Sequence, residues 1–299
     1  MLRRWEVPAV AAALAVGDRR GRERCPAAIP VAARPAQSAS RRSYKLVTVT
    51  NPLNNLPHSD QAPEVERATL TSDEADGTFV IIAAYNEARV IREVVERVLS
   101  LGVHVVVVDD ASTDGTADTL TGLPISVLSH SVNLGQGAAL RTGAEFALAQ
   151  GARYMVTFDA DGQHDEADIP RLIHMLTVNG RQVALSSRFL GKEATGMGPS
   201  RKLLLKAAVA YTRLTTGLRL TDAHNGLRAC CAEVAPMLHL RQNRMAHASE
   251  ILQLIKDGGL SYAEVPTVVH YTAYSKAKGQ TGIGLVDILF DQLMGRFFR

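Results

Sequence analysis

Asp159, Asp161 and Gln163 stand at alternate positions in Asp159-Ala-Asp161-Gly-Gln163-His164, directly after the apolar run Tyr154-Met-Val-Thr-Phe158. In extended backbone, residues two apart project to the same side, so the three polar groups can converge on one point. Two carboxylates about 4 Å apart repel by roughly 4 kcal/mol at an effective dielectric near 20, a cost that a bridging cation removes. An oxygen pair with open positions suits Mg²⁺ or Mn²⁺ shared with substrate phosphates better than zinc. The alternative is chemically inert: a polar turn that ends a strand ahead of a helix starting at Asp168. A lone Asp-x-Asp favours that alternative, so the segments around it must decide.

Those segments repeat one design. Residues 79–84 form a continuous apolar run suited to a strand covered on both faces, closed by Tyr85-Asn86-Glu87 ahead of a helix reaching Leu101. Residues 103–108 do the same and end in Asp109-Asp110-Ala-Ser-Thr-Asp-Gly-Thr116, where Ser112 or Thr113 can cap the next helix. A third strand is predicted over 125–129, followed by Asn133-Leu-Gly135-Gln-Gly137 and a helix to Gln150. The acid-bearing strand is the fourth, and 183–187 the fifth. Strands alternating with helices imply right-handed crossovers, hence an α/β fold with a mostly parallel central sheet flanked by helices. Ligands on such sheets bind beyond the carboxyl ends of the strands, where every polar motif falls.

Each motif has a plainer reading. Tyr85-Asn86-Glu87 can be a strand-to-helix turn, Asp109-Asp110 a helix cap, and Gly135 and Gly137 the hinge of a tight turn. Neither Gly-x-Gly-x-x-Gly nor Gly-x-x-x-x-Gly-Lys is present, which argues against dinucleotide and P-loop sites. His104, inside an apolar run, reads as a core residue. His164 is either a neighbour of the ion or a solvent-facing loop residue.

Composition bounds the rest. The chain has 299 residues, 46% hydrophobic and 21% charged, with net charge +3, which is the globular class and long enough for an enzyme. Residues 1–50 hold ten Lys/Arg against three Asp/Glu, so the remainder is net acidic and a nucleic-acid-binding core is disfavoured. Residues 1–75, rich in Ala, Pro, Arg and Ser, are expected to form a disordered basic tail rather than a cleaved leader, and 76–299 a single catalytic domain. Cys25, Cys230 and Cys231 show neither zinc nor disulfide spacing, as expected in a reducing, cytoplasmic compartment.

Taken together, Ala83-Ala-Tyr-Asn-Glu87, Val108-Asp-Asp-Ala-Ser-Thr-Asp-Gly-Thr116, Asn133-Leu-Gly-Gln-Gly137 and Phe158-Asp-Ala-Asp-Gly-Gln163 resemble the ordered signature of family-2 glycosyltransferases. The likeness is nearest to the branch with dolichol-phosphate mannosyltransferase and bacterial polyprenyl-phosphate glycosyltransferases, and it covers about residues 78–280. It implies the GT-A fold and metal-dependent, inverting transfer from a nucleotide-diphosphate sugar to a polyprenyl phosphate. It also implies that Tyr85, Glu87 and Asp110 line the nucleotide, with Asp110 accepting from the base. Asp159 and Asp161 would hold the divalent ion, with Gln163 a third candidate ligand.

Downstream, Ser187-Arg188-Phe189 and Pro199-Ser-Arg201-Lys202 resemble family positions, and an arginine at a helix N-terminus is a natural phosphate cradle. Asp222-Ala-His-Asn-Gly-Leu-Arg228 resembles an Asp-x-x-x-Gly-Phe-Arg stretch of this branch, which would place Asp222 near the reacting centre. Leu227 stands where an aromatic is common. Glu250, on a helix expected over 245–258, aligns with an acceptor-side carboxylate or is an ordinary surface Glu. Strands are expected over 261–265 and 268–271, then a basic loop with Lys276 and Lys278 resembling a Ser-Lys element that closes over donor phosphates. The amphipathic stretch 285–298 is too short to span a bilayer and is expected to pack on the domain or a partner, with peripheral contact at the cytoplasmic membrane face the other outcome. Two other functions remain open. One is transfer to a sugar hydroxyl of a glycan in cell-surface polysaccharide assembly, with Asp222 or Glu250 as base; the other is nucleotide-sugar binding without turnover.

Overall fold

The computed structural model describes residues 68–190, 199–223, 225–238 and 247–270. The amphipathic stretch 285–298, the loop with Lys276 and Lys278, and most of the basic tail lie outside them. Seven strands form one sheet: β1 Thr78–Ala84, β2 His104–Asp109, β3 Ser126–Ser129, β4 Tyr154–Asp159, β5 Val183–Ser187, β6 Arg228–Cys231 and β7 Tyr262–Pro266. Their order is β3-β2-β1-β4-β6-β5-β7. Only β6 runs against its neighbours β4 and β5; the other pairings are parallel, as the alternation of strands and helices requires.

Alternate strand residues feed two cores. Val80, Ile82, Val105, Val107, Val156 and Phe158 pack on helices α2 (Ile91–Leu99) and α5 (Asp168–Thr177). On the opposite face, Phe79, Ile81, Val106, Val108 and Met155 meet α4 (Gln136–Ala149), α6 (Pro199–Thr216) and α7 (His247–Asp257). Fully burying one such apolar side chain contributes roughly 1.5–3 kcal/mol, so the strand residues on either face suffice to fix the sheet's register. Helix α4 comes unusually close to the sheet because its contact face is small. A Cβ on Gly143 would stand 2.4 Å from Ile81 Cγ2.

Three expectations change. Helix α1 (Ser72–Gly77) precedes β1, started by a capping box in which Thr71 and Glu74 bond each other reciprocally, so structure begins ahead of Thr78. His104 opens β2 with its side chain exposed and stacked on Phe79, ring centroids 4.6 Å apart; it shares a face with the buried Val106 and Val108 but stands at the strand's open end. Ser112 and Thr113 do not cap α3 (Thr116–Thr119), whose N-cap is Gly115 at φ 83°. Ser112 accepts from the Asn86 backbone N–H instead, and Thr113 donates its own to Asn86 Oδ1.

Candidate active site at the carboxyl ends of the strands

Strand order reverses at β1: β2 and β3 continue to one side and β4 to the other. Ala84 pairs with Asp109 on β2, and Ala83 with Asp159 on β4, so the two acidic motifs flank the end of β1 at the switch point where such sheets bind ligands.

On the β2 side, Asn86 (φ 55°) and Ala111 (φ 61°) take left-handed backbone, a conformation that Asn tolerates. Beyond the Asn86 bonds, Thr116 Oγ1 accepts from Glu87 N (2.8 Å), and Asp114 accepts from Ala88 N (3.0 Å) and Thr116 N (3.0 Å). The two loops are thereby one unit. Burial pushes the Asp114 carboxyl up, but hydrogen bonds from Thr116 and Ala88 outweigh it and hold it below its ordinary value. Tyr85 is 44% exposed while Glu87 is buried, so the tyrosine face is what this loop offers a ligand. Asp110, expected to meet the base, is buried, and its carboxylate accepts from Leu134 N (2.9 Å), Gly135 N (2.7 Å) and His130 Nδ1 (2.7 Å). Three of its roughly four acceptor positions are therefore used by the chain itself.

On the β4 side, Asp159 accepts from Gln136 Nε2 at 3.1 Å, the first side chain of α4, and lies 3.0 Å from Nε2 of the buried His164. His164 is thus a neighbour of the acids rather than a solvent-facing residue, packed edge-on to Phe158. Burial, and after it the charge of Asp159, push the Asp161 carboxyl up to about 6. Gln163 turns its donors to Asp161, backbone N at 3.1 Å and Nε2 at 2.6 Å, so in this state it orients that carboxylate.

The rest of the site hangs on β5, β6 and β7. Arg188 grips Asp222 with both arms, Nε to Oδ2 at 2.7 Å and Nη2 to Oδ1 at 2.8 Å, and both residues are buried. Glu264 on β7 holds the same turn by accepting from Thr221 N (2.8 Å) and Asp222 N (3.1 Å). Burial raises the Glu264 carboxyl despite those bonds. Arg228, the last residue of the Asp222–Arg228 stretch, is a buried cation. Burial pulls it down to about 10, against the opposing charges of Asp159 and Asp222. Its Nη2 reaches the carbonyls of Ala223 and Ala248, each at 3.5 Å. Glu250 is half-buried in the first turn of α7, and Arg201 lies in the first turn of α6 with its side chain outside the described residues.

The donor set fits a hard divalent ion shared with a ligand. Among the described residues no three His, Cys, Asp or Glu are grouped to cage an ion, so an ion held by Asp159 and Asp161 would take its other ligands from substrate oxygens and water. That is how Mg²⁺ and Mn²⁺ are commonly held beside phosphates.

The family model of glycosyl transferase family 2 matches residues 79–234, which span β1 to β6 and carry both acidic motifs. The chain belongs to glycosyl transferase family 2. This glycosyltransferase is 32% identical over 222 residues to UDP-N-acetylglucosamine–dolichyl-phosphate N-acetylglucosaminyltransferase of Methanococcus voltae, covering 67% of this chain and 88% of that one. It is 33% identical over 172 residues to polyprenol monophosphomannose synthase of Mycolicibacterium smegmatis, covering 54% and 64%. Among solved structures, it superposes on glucosyl-3-phosphoglycerate synthase from Mycobacterium tuberculosis in complex with Mn²⁺, uridine diphosphate and phosphoglyceric acid. The TM-score is 0.55 with 22% identity, over 74% of this chain and 79% of that one, a likeness that establishes the GT-A architecture. No helix of the glycosyltransferase among the described residues is long and apolar enough to cross a membrane.

Sequence reasoning assigned no role in the site to His130, Gln136, Gly226 or Glu264. Gln136 and Gly226 carried a local signal, as members of the Asn133–Gly137 and Asp222–Arg228 stretches.

Proposed function

We propose that the chain catalyses metal-dependent, inverting transfer of a sugar from a nucleotide-diphosphate sugar to a polyprenyl phosphate. The observation that carries this reading is the Asp159/Asp161 pair at the switch point, half-buried, with Asp159 held by Gln136 and His164 and the Asp161 carboxyl raised first by burial and then by the charge of Asp159. A divalent ion held there would neutralise charge on the departing nucleotide diphosphate. Tyr85 and Glu87 line the nucleotide end, and Asp110 spends its remaining acceptor position on the base. Gln163 holds Asp161 while Gln136 and His164 hold Asp159, so the pair is oriented before substrate arrives.

A phosphate monoester is ionised near neutral pH and attacks without a general base. The pairing of Asp222 supports this acceptor over a hydroxyl, since a carboxylate engaged on both oxygens by Arg188 is a poor proton acceptor. Both curated relatives described above are named for polyprenyl-type lipid phosphates or their products. Arg201, at the start of α6, and Lys276 with Lys278 are the cations that offset the repulsion between acceptor and donor phosphates. Helix α6 has no acidic residue and leaves Leu203 and Leu214 exposed three turns apart, which fits peripheral contact with the membrane bearing the acceptor.

The test is incubation of the purified chain with UDP- and GDP-sugars, Mn²⁺ and a short polyprenyl phosphate, with extraction of the lipid. A lipid-linked sugar of inverted anomeric configuration, absent after EDTA, is expected. Nucleotide-sugar hydrolysis without any lipid product would overturn the acceptor, and binding without turnover would overturn the enzyme reading.

A further inference from the structure

The loop between β3 and α4 is secured by a side chain that the proposed chemistry does not use. His130 Nδ1 lies 2.7 Å from Asp110 Oδ1, and its Nε2 lies 2.9 Å from Thr142 Oγ1 on α4. An ionised carboxylate only accepts, so Nδ1 carries the proton, while Nε2 and the Thr142 hydroxyl share the second bond. The side chains of His130 and Asp110 are 10% and 4% exposed. The backbone is fixed as well, with Asp110 N donating to Ala84 O at 2.8 Å and His130 N to Asp109 O at 2.9 Å. One imidazole therefore joins the end of β2 to α4.

What this knot holds matters for the site. Asp110 also takes the N–H groups of Leu134 and Gly135, and Gly135, at φ 93°, turns the chain into α4. The next residue, Gln136, donates to Asp159. The nucleotide end and the ion-binding end are thus linked through a three-residue loop. Its position depends on how the Asp110 carboxylate is turned, and His130 sets that angle.

We infer that His130 is a positioning residue for the donor: it fixes Asp110 and the loop from Leu134 to Gln136, and through them the Gln136–Asp159 contact. The inference rests on the donor site proposed above. Removing a hydrogen bond to a buried charge is expected to weaken donor binding by about tenfold or more.

The experiment compares wild type with His130→Leu, His130→Asn and Thr142→Val. UDP and GDP are each titrated calorimetrically with Mn²⁺, with KM and kcat for the donor measured beside Tm. For the diphosphate that wild type binds, His130→Leu should raise Kd and the donor KM about tenfold while kcat at saturation stays within about threefold. His130→Asn, whose Nδ2–H replaces the Nδ1–H donor, should recover most of the loss. Thr142→Val removes only the outer bond and should raise KM about two- to threefold, which keeps the test alive if the leucine variant does not fold. Wild-type Kd and KM in His130→Leu would overturn the inference, as would Asn and Leu variants equally impaired in line with a common fall in Tm. Binding of neither UDP nor GDP by wild type would instead refute the donor site, and the inference with it.

Discussion

Gly226 packs so closely on the Asp159 carboxylate that a Cβ there would stand 2.2 Å from Oδ2 and 2.4 Å from Oδ1. The turn cannot retreat easily, because Thr157 Oγ1 on the same strand as Asp159 donates to the Gly226 carbonyl at 2.7 Å. A methyl group must therefore move the carboxylate. Gly226→Ala is expected to lower the transfer rate by about a hundredfold, the usual cost of misplacing a catalytic group by about 1 Å. Stability should fall by only about 1–3 kcal/mol. Initial rates and urea midpoints measured together check this; near-normal turnover would show that the glycine does not seat Asp159.

Arg188 and Asp222 form a buried two-armed pair, and removing either partner takes from the other's buried charge both of the side-chain bonds that join them. Asp222→Ala and Arg188→Ala should each cost about 3–5 kcal/mol in unfolding free energy, read from denaturant midpoints at constant slope. A loss under 1 kcal/mol with abolished activity would return Asp222 to the role of catalytic base.

Asp161, raised to about 6 by burial and by Asp159, holds a proton in the folded chain at pH values where the unfolded chain has released it. Its contribution to stability is therefore greatest below its ordinary value and is lost as pH rises to about 6. Ion binding runs the other way, because it needs both carboxylates ionised. Mn²⁺-dependent transfer should climb through pH 6 as the stability of the ion-free protein declines. Asp161→Asn should flatten the pH dependence of Tm between pH 4.5 and 7; an unchanged slope would contradict the assignment.

The strands carrying the site are legible in sequence because β1, β2 and β4 are apolar runs ended by polar residues, a pattern that only a doubly covered parallel sheet explains. β6 is not legible. Arg228-Ala-Cys-Cys231 has four residues, one of them charged, and becomes a strand only because β4 and β5 offer it edges and Asp159 and Asp222 neutralise its arginine. His130 escaped for a related reason. Its partners lie 20 residues before it and 12 after it, separations at which no local spacing rule operates. The convergence of Asp159 with Asp161 could be read from alternation alone, whereas the turning of Gln163 toward Asp161 could not, because amide orientation depends on the neighbours the fold supplies.

If Arg201 binds the acceptor phosphate as proposed, Arg201→Ala should raise the KM for a short polyprenyl phosphate by about tenfold and the donor KM by less than threefold. Steady-state kinetics with each substrate varied in turn separates the two. Equal increases would move Arg201 to the donor diphosphate.

One competition reads both the ion-holding acid pair and the ionised acceptor. Purified protein, Mn²⁺ and the preferred nucleotide sugar are offered a short polyprenyl phosphate, the matching polyprenol and a glycan with free hydroxyls, and initial rates are followed for wild type and Asp159→Asn. Transfer to the phosphate alone is expected, reduced at least about a thousandfold in the variant. Transfer to the glycan, or a variant that keeps near-wild-type turnover, would contradict the proposed function.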